Sequence, residues 1–256
     1  TCTKTGTKKG FLAVKSICIG HNTGIGDHIF MSGAVRYIAK EYDCTFILCL
    51  QDKLDHVEFL YRDNPKIVPK VMPNSRRCGE KHKSANAVYS RLKKKFDVEK
   101  LYAFEYNRKR WRQWHENKVS FVNMQYDTIG VPRDERFKSF HIQRDRRAEA
   151  RLSDEAMPSW DYAFMCNRWS RGSANVDSLE TDLPPVIPYQ KTKLIFDWMG
   201  VIEKANEIYT VDTSFFHLIK SMRLEQDKYY LDSRKTIATG EDYINGEFDN
   251  NWVVVK

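Results

Sequence analysis

The chain has 256 residues, 41% of them hydrophobic and 30% charged, which suits one large globular domain or two small ones and excludes a repeat-built or low-complexity chain. No apolar run approaches the roughly 20 residues that span a bilayer, and the polar start "TCTKTGTKKG" predicts no signal peptide. The formal charge of +8 draws anions to the surface without choosing among nucleic acid, anionic lipid and phosphate-bearing small molecules. The first residue is Thr1 rather than Met, as in a processed or excised chain. The six cysteines (Cys2, Cys18, Cys44, Cys49, Cys78 and Cys166) include no CxxC pair, and several lie in apolar segments. Buried, reduced thiols and a cytoplasmic location are therefore expected.

In chain order, "FLAVKSICIG" (11–20) reads as a strand rich in apolar and β-branched residues. A glycine turn follows, and then Phe30, Ala34, Tyr37 and Ile38 recur with the period of an amphipathic helix. "CTFILCL" (44–50) has the unbroken apolar character of a buried parallel strand. "LDHVEFLYRD" predicts a short helix, "KIVPKV" a strand, "ANAVYSRLKKKFD" a helix and "KLYAFEY" (100–106) another strand. The stretch 131–158 is dense in charge and poor in aliphatics, and a linker is expected over 136–158. Beyond it come a strand at "DYAFMC" (161–166), a helix at "LIFDWMGVIEKA" (194–205) and a strand at "EIYTVD" (207–212). "TSFFHLIKSM" (213–222) then reads as a helix and "KYYLD" (228–232) as a final strand, while the tail "GEDYINGEFDNNWVVVK" has no clear assignment. Such alternation predicts an α/β protein with parallel sheets. Two halves are expected, residues 1–135 and 159–256, facing each other across a cleft where ligands bind.

Two motifs carry most of the chemistry. In "HNTGIGDHIF" (21–30), a strand followed by Gly24 and Gly26 brings Asp27 to the start of a helix. Glycines there allow a tight turn and a close approach to a ligand, and a helix N-terminus favours the negative charge. The plainer reading of Asp27 is an N-cap that satisfies backbone N–H groups. The stretch is not a dinucleotide fingerprint, because position 29 is Ile29 rather than glycine, and no Gly-Lys-Ser/Thr follows as in a phosphate-binding P-loop. In "ANEIYTVDTSFFHLIKSM" (205–222), Asp212 ends a strand and Thr213 and Ser214 open a helix. Two hydroxyls and unpaired N–H groups at a helix start suit a phosphate, and Asp212 suits ribose hydroxyls. An ordinary helix cap is the alternative. His217, on the same helix, reads as a packed or capping histidine rather than a ligand.

Together, "GIGDHIFMSGAVRYIAKEY" and "ANEIYTVDTSFFHL" resemble the GT-B glycosyltransferases, and most closely the heptosyltransferase-like group. That group has a Gly-Asp turn after its first strand and an Asp-Thr-Gly-x-x-His-Leu motif in its second domain. The stretch "IFDWMGVIEKANEIYTVDTSFFHL" is also similar to compact transferases encoded by large DNA viruses. The resemblance covers about 60 residues in two blocks, in the family's order, with Ser214 standing where the family has glycine. It implies two Rossmann-like domains (GT-B), with Asp27 as the catalytic base. It also implies a nucleotide-sugar donor, a UDP- or GDP-sugar, held by Gly24, Gly26, Asp212, Thr213 and Ser214.

Three basic segments remain. "CNRWSRGSAN" (166–175) follows a predicted strand directly, so Asn167, Arg168 and Arg171 are expected at the donor end, where arginine can pair bidentately with a diphosphate. "SRLKKKFD" reads as a solvated helix face. "NRKRWRQWHEN" (107–117) interleaves Trp111 and Trp114 with arginines, and these two with His28 are the expected acceptor contacts. No zinc spacing, RNP motif or homeodomain pattern supports nucleic-acid binding, and no Asp-x-Asp is placed to hold a metal. The sequence therefore points to an inverting, metal-independent glycosyltransferase that needs no cofactor, acting on a glycan or glycoprotein acceptor. A basic nucleic-acid-binding protein and a non-catalytic sugar-binding relative are the alternatives.

Overall fold

The structure, a computed structural model, describes residues 15–20, 24–72, 87–94, 98–103, 120–169, 172–174, 176, 179, 181–188, 192–231 and 252–255. The chain divides into two compact units. One is made of Thr1–Asn117 with Phe121–Gln143, the other of Lys118–Ser120 with Arg144–Lys256.

The first unit is built on parallel strands β1 (Ser16–Gly20), β2 (Cys44–Leu50), β3 (Ile67–Met72) and β4 (Val98–Ala103), in the spatial order β3-β2-β1-β4. β2 coincides with the apolar run "CTFILCL" and is buried except at Leu50, as a parallel strand covered on both faces must be. Pro69 lies in β3, an edge strand, where its missing N–H is tolerated. On one face Cys18, Phe46, Leu48 and Val98 pack against Val88 and Leu92, which belong to a helix (α3) over 87–94. Helices α1 (Ile25–Ile38) and α2 (Leu54–Tyr61) pack on each other, and the right-handedness of such crossovers assigns both to one face of the sheet.

Helix α1 is the hub of this unit. Phe30, Ala34 and Ile38 are buried as their period predicts, and Tyr37 is half-buried. Tyr126 of α4 (Phe121–Ile129) enters α1 from the side: its buried hydroxyl donates to the Phe30 carbonyl (2.8 Å) and accepts from the Ala34 N–H (3.3 Å). Helix α4 stops at Gly130, whose φ of 71° lies in the left-handed region that glycine adopts without strain. Arg36 is buried and forks onto the Asp63 carboxylate (2.7 and 2.9 Å) while donating to the Leu60 carbonyl (2.8 Å). Gly33 marks the closest approach to α5 (Glu135–Lys138). A Cβ at Gly33 would lie 2.2 Å from the Glu135 carbonyl oxygen and 2.9 Å from Arg136 backbone atoms.

The second unit has parallel strands β5 (Ala163–Cys166), β8 (Pro185–Val186), β9 (Glu207–Thr210), β10 (Asp227–Leu231) and β11 (Trp252–Val255), in the order β11-β10-β9-β5-β8. A small antiparallel hairpin, β6 (Arg168–Trp169) with β7 (Gly172–Ser173), leaves the end of β5. One face of the sheet carries Ala163, Met165, Tyr209, Val211 and Leu231 beneath Leu179, Leu183 and Ile187. Phe164 makes ring contacts with Trp198 and with Phe215 of α8 (Ser214–Met222). A 3-10 turn, Ile195–Trp198, leads into α7 (Met199–Lys204). Helix α8 ends at Arg223 in a left-handed conformation, and the buried Lys228 donates to the carbonyls of Leu224 and Gln226 just beyond it.

Within 136–158, where a linker was expected, the structure has most of α5 and then α6 (Arg146–Ala156), and the units divide between Gln143 and Arg144. The charges of this stretch make local structure. The Asp145 carboxylate caps α6 by accepting from the N–H groups of Arg147 and Ala148 (both 3.1 Å). Arg144 bonds to Glu149 and Glu203. Two sequence expectations need correction. Strand β10 is not the last: β11 pairs with it from the tail. Reduced thiols hold for the buried Cys18, Cys49 and Cys166, but Cys44 is in a disulfide whose partner lies outside the described residues. Spacing along the chain carries no sign of a pairing that only folding brings about.

Gly33→Ala is expected to cost about 1–3 kcal/mol of unfolding free energy, because the added methyl meets backbone rather than a side chain that can turn away. Chemical denaturation checks this; a loss under about 0.5 kcal/mol would mean that α5 shifts freely.

Candidate functional site

In each unit the strand order reverses around an early strand, and in open parallel sheets that reversal opens a crevice at the carboxyl ends of the strands. In the first unit it lies between β1 and β4, and in the second between β5 and β9.

Asp27 follows β1 directly and is the third residue of α1, half-buried. The Gly24 N–H donates to Asp27 Oδ2 (2.9 Å), and the Asp27 N–H donates to the Gly24 carbonyl (3.2 Å). The carboxylate thus satisfies the helix start from inside the first turn, half of a capping box, since glycine has no side chain to return the bond. Asp27 thus lies near the helix start, as expected, but the turn does not require glycine at position 24: Gly24 has φ −78° and ψ 175°, which any residue adopts. A Cβ at Gly24 would meet only Asp27 Oδ2, at 3.9 Å. Gly26 is the second residue of α1 and half-buried.

His28 must also be corrected. It was expected to touch the acceptor, but its ring is fully buried, because the residue after Asp27 turns inward as the helix winds. Burial, with a smaller contribution from the charge of Lys53, pulls its pKa down to about 3.

In the second unit, the β5–β9 pairing brings two of the expected donor segments together. The Val211 N–H donates to the Cys166 carbonyl (3.0 Å), and Cys166 Sγ lies 3.7 Å from Thr213 Oγ1. Thr213 is the N-cap of α8, yet its hydroxyl does not cap its own helix; it faces the Cys166 thiol instead. Burial, partly offset by the Thr213 hydroxyl and the Arg168 backbone N–H, raises the Cys166 pKa. Ser214 is the first residue of α8 and is half-buried. Asn167 donates through its side-chain amide to the Ala174 carbonyl (3.2 Å) and closes the base of the β6–β7 hairpin. Arg168 begins that hairpin and is exposed. Asp212 pairs with His217, Nε2 to Oδ1 at 3.7 Å.

Arg171, Trp111 and Trp114 lie outside the described residues. Among the described residues no cluster of His, Cys, Asp or Glu could hold a metal ion, and no helix is long and apolar enough to cross a membrane. Sequence reasoning missed Cys166 as the neighbour of Thr213 and His217 as the partner of Asp212. The second was readable from spacing, since the two residues flank a helix start five apart.

No protein-family model and no curated protein matches the chain. Solved structures do. A glycosyl transferase family 9 protein from Veillonella parvula matches with a TM-score of 0.57 at 11% identity, over 96% of this chain and 88% of that one. The fold is similar to that of the GT-B glycosyltransferases. E. coli ADP-heptose LPS heptosyltransferase II matches with a TM-score of 0.50 at 9% identity, over 94% of this chain and 90% of that one. At these identities the likeness is one of architecture, and it leaves the chemistry to the side chains.

The buried His28 has a pH consequence. Its folded-state pKa lies below the ordinary value of 6.5, so the unfolded chain binds the proton first as pH falls. Stability is fully present above about pH 6.5 and declines as pH drops toward 3. Thermal unfolding between pH 7 and 4 should show this decline, and His28→Gln should flatten it. An equal slope in the variant would assign the decline to other groups.

Proposed function

We propose that the protein transfers a sugar from a nucleotide-sugar donor, a UDP- or GDP-sugar, to a hydroxyl of a glycan or glycoprotein, with inversion and without a metal. The first unit serves the acceptor and the second the donor. The Asp27 carboxylate takes the proton of the acceptor hydroxyl as its oxygen bonds to the anomeric carbon. The bond from that carbon to the diphosphate breaks with its electron pair, and the nucleoside diphosphate leaves. Asp212 accepts from ribose hydroxyls. Arg168 and the first N–H groups of α8, next to Thr213 and Ser214, take up the charge that develops on the leaving group.

One observation carries the reading: each of the two acidic motifs singled out in the sequence follows a strand that borders the point where the order of its own parallel sheet reverses, and sheets of this kind bind ligands at such points. The architecture shared with glycosyltransferases supports it. The hydrogen bond from Gly24 gives Asp27 a fixed orientation, as a general base requires.

Asp27→Asn retains an oxygen to accept from the Gly24 N–H, so it separates chemistry from folding. It is expected to lower turnover by about 10²–10⁴-fold with nucleotide binding nearly unchanged. Turnover close to that of the unsubstituted protein would remove Asp27 from the mechanism. Thermal-shift screening with UDP, GDP, ADP, CMP and dTDP finds the donor nucleotide, since a bound ligand raises the apparent stability. Arg168→Ala should weaken whichever of these binds, and an unchanged calorimetric affinity would retire that assignment.

A further inference from the structure

Each of the two parallel sheets ends in two edge strands, and an edge strand presents an outer row of N–H and C=O groups on which another strand can form. Three of these four edges carry features that oppose such pairing. β3 has Pro69, with no N–H to give, and Lys70 beside it. β4 meets β1 with a register shift between Ser16 and Ile17, and shows exposed Glu99 and Lys100. β8 has only two residues, the first of them Pro185. β11 is different. "WVVV" contains no proline, glycine or charge, and its four residues pair in unbroken register with Lys228, Tyr229, Tyr230 and Leu231 of β10. Val253 is 54% exposed, and with Trp160 it is one of two exposed large hydrophobic side chains among the described residues.

We propose that β11 is a self-association edge, on which two copies of this chain pair antiparallel about a two-fold axis normal to the sheet. The proposal stands apart from the transferase reading. Its occupant follows from the chemistry of the edge. A strand that lies along β11 must itself be apolar, free of proline and open on one side. Of the four edges only β11 meets all three conditions, so the surface is its own complement, as a two-fold contact requires. The faces of the sheet then limit the register. Trp252 makes a ring contact with Phe216 of α8, while Val255 packs against the cluster that holds Leu231 on the other face. Side chains alternate along a strand, so Val253 shares the face of Val255, and Val254 that of Trp252. An axis normal to the sheet keeps like faces together and places one residue opposite its own copy. Centred on Val254, it sets Val253 against the partner's Val255, and such β-branched cross-strand pairs stabilise antiparallel strands. Each copy carries a charge of +8, so repulsion opposes the contact and salt relieves it. Two four-residue edges bury less than the roughly 1,200–2,000 Å² of a standard interface, so the pair is reversible.

The test is sedimentation velocity of the full chain between about 5 and about 500 µM, at about 0.05 and about 0.5 M salt. The unsubstituted protein should pass from monomer to dimer as concentration rises, and more readily at the higher salt. Val253→Lys charges the edge at an exposed position, and should weaken the dimer about tenfold or more with chemical denaturation unchanged. Val253→Thr keeps a branched side chain and should stay within about threefold of the unsubstituted protein. A monomer throughout the range would mean that the edge is closed by the chain itself or kept for a different protein, and would overturn the proposal. So would a dimer that salt dissolves, or equal association in Val253→Lys. If Val253→Lys fails to fold, amide exchange of the unsubstituted protein decides. Residues 252–255 should then exchange more slowly as concentration rises, and rates independent of concentration would overturn the proposal as well.

Discussion

Two neighbouring parallel strands cannot be joined by a tight turn, so the chain must leave one strand, cross a face of the sheet and return to the same edge. Both units meet this constraint in the same way. A first strand lies inside the sheet, later strands build outward on one side of it, and one crossover goes to the other side. The covering helices leave the sheet closed on both faces, as the buried β2 and β5 show. In open parallel sheets, ligands bind at the gap where the crossovers diverge. Polar side chains can gather there without burying an unsatisfied group. The position of Asp27 after β1 and of Asp212 after β9 thus follows from strand order as much as from the residues themselves.

The side chains at these two places are tied to their surroundings in different ways. Asp27 is held by the backbone N–H of Gly24, a bond that also completes the start of its helix. Thr213 gives up the usual capping contact, and its hydroxyl turns toward the thiol of Cys166 on the adjoining strand. Asp212 lies beside the ring of His217, one turn into α8. Each tie joins the end of a strand to the beginning of a helix or to the neighbouring strand.

Much of this was legible in the sequence, for physical reasons. "CTFILCL" has the short, unbroken apolar character of a strand buried on both faces, and Phe30, Ala34 and Ile38 recur with the period of a helix face, and the structure has both. The two acidic motifs were legible because glycines and hydroxyls interrupt apolar runs at strand ends. Other features were not. A strand as short as "WVVV" after a long polar stretch gives too little pattern to separate it from a loop, and β8 has only two residues. The burial of His28 was not legible, because a histidine beside a carboxylate at a helix start carries no sign of which way the packed helix turns it. The charged stretch 136–158 looked like a solvated connection because single-residue polarity does not reveal which charges will find partners. Arg144, Asp145 and Glu149 find theirs within the fold.

Arg144 gives this last point a practical side. It is the first residue of the second unit's main segment, and its guanidinium is shared between Glu149, almost completely enclosed, and Glu203 at the far end of a different helix. The carbonyl one residue earlier is gripped by Arg62 from the other unit's own scaffold. Anyone dividing the gene to express the halves apart has little room to choose the cut. A downstream piece that starts at Asp145 would leave the enclosed Glu149 with only the exposed guanidinium of Arg146, 3.4 Å away, in place of the closer and better buried Arg144, and weakening the partner of a buried charge is costly in a small fold.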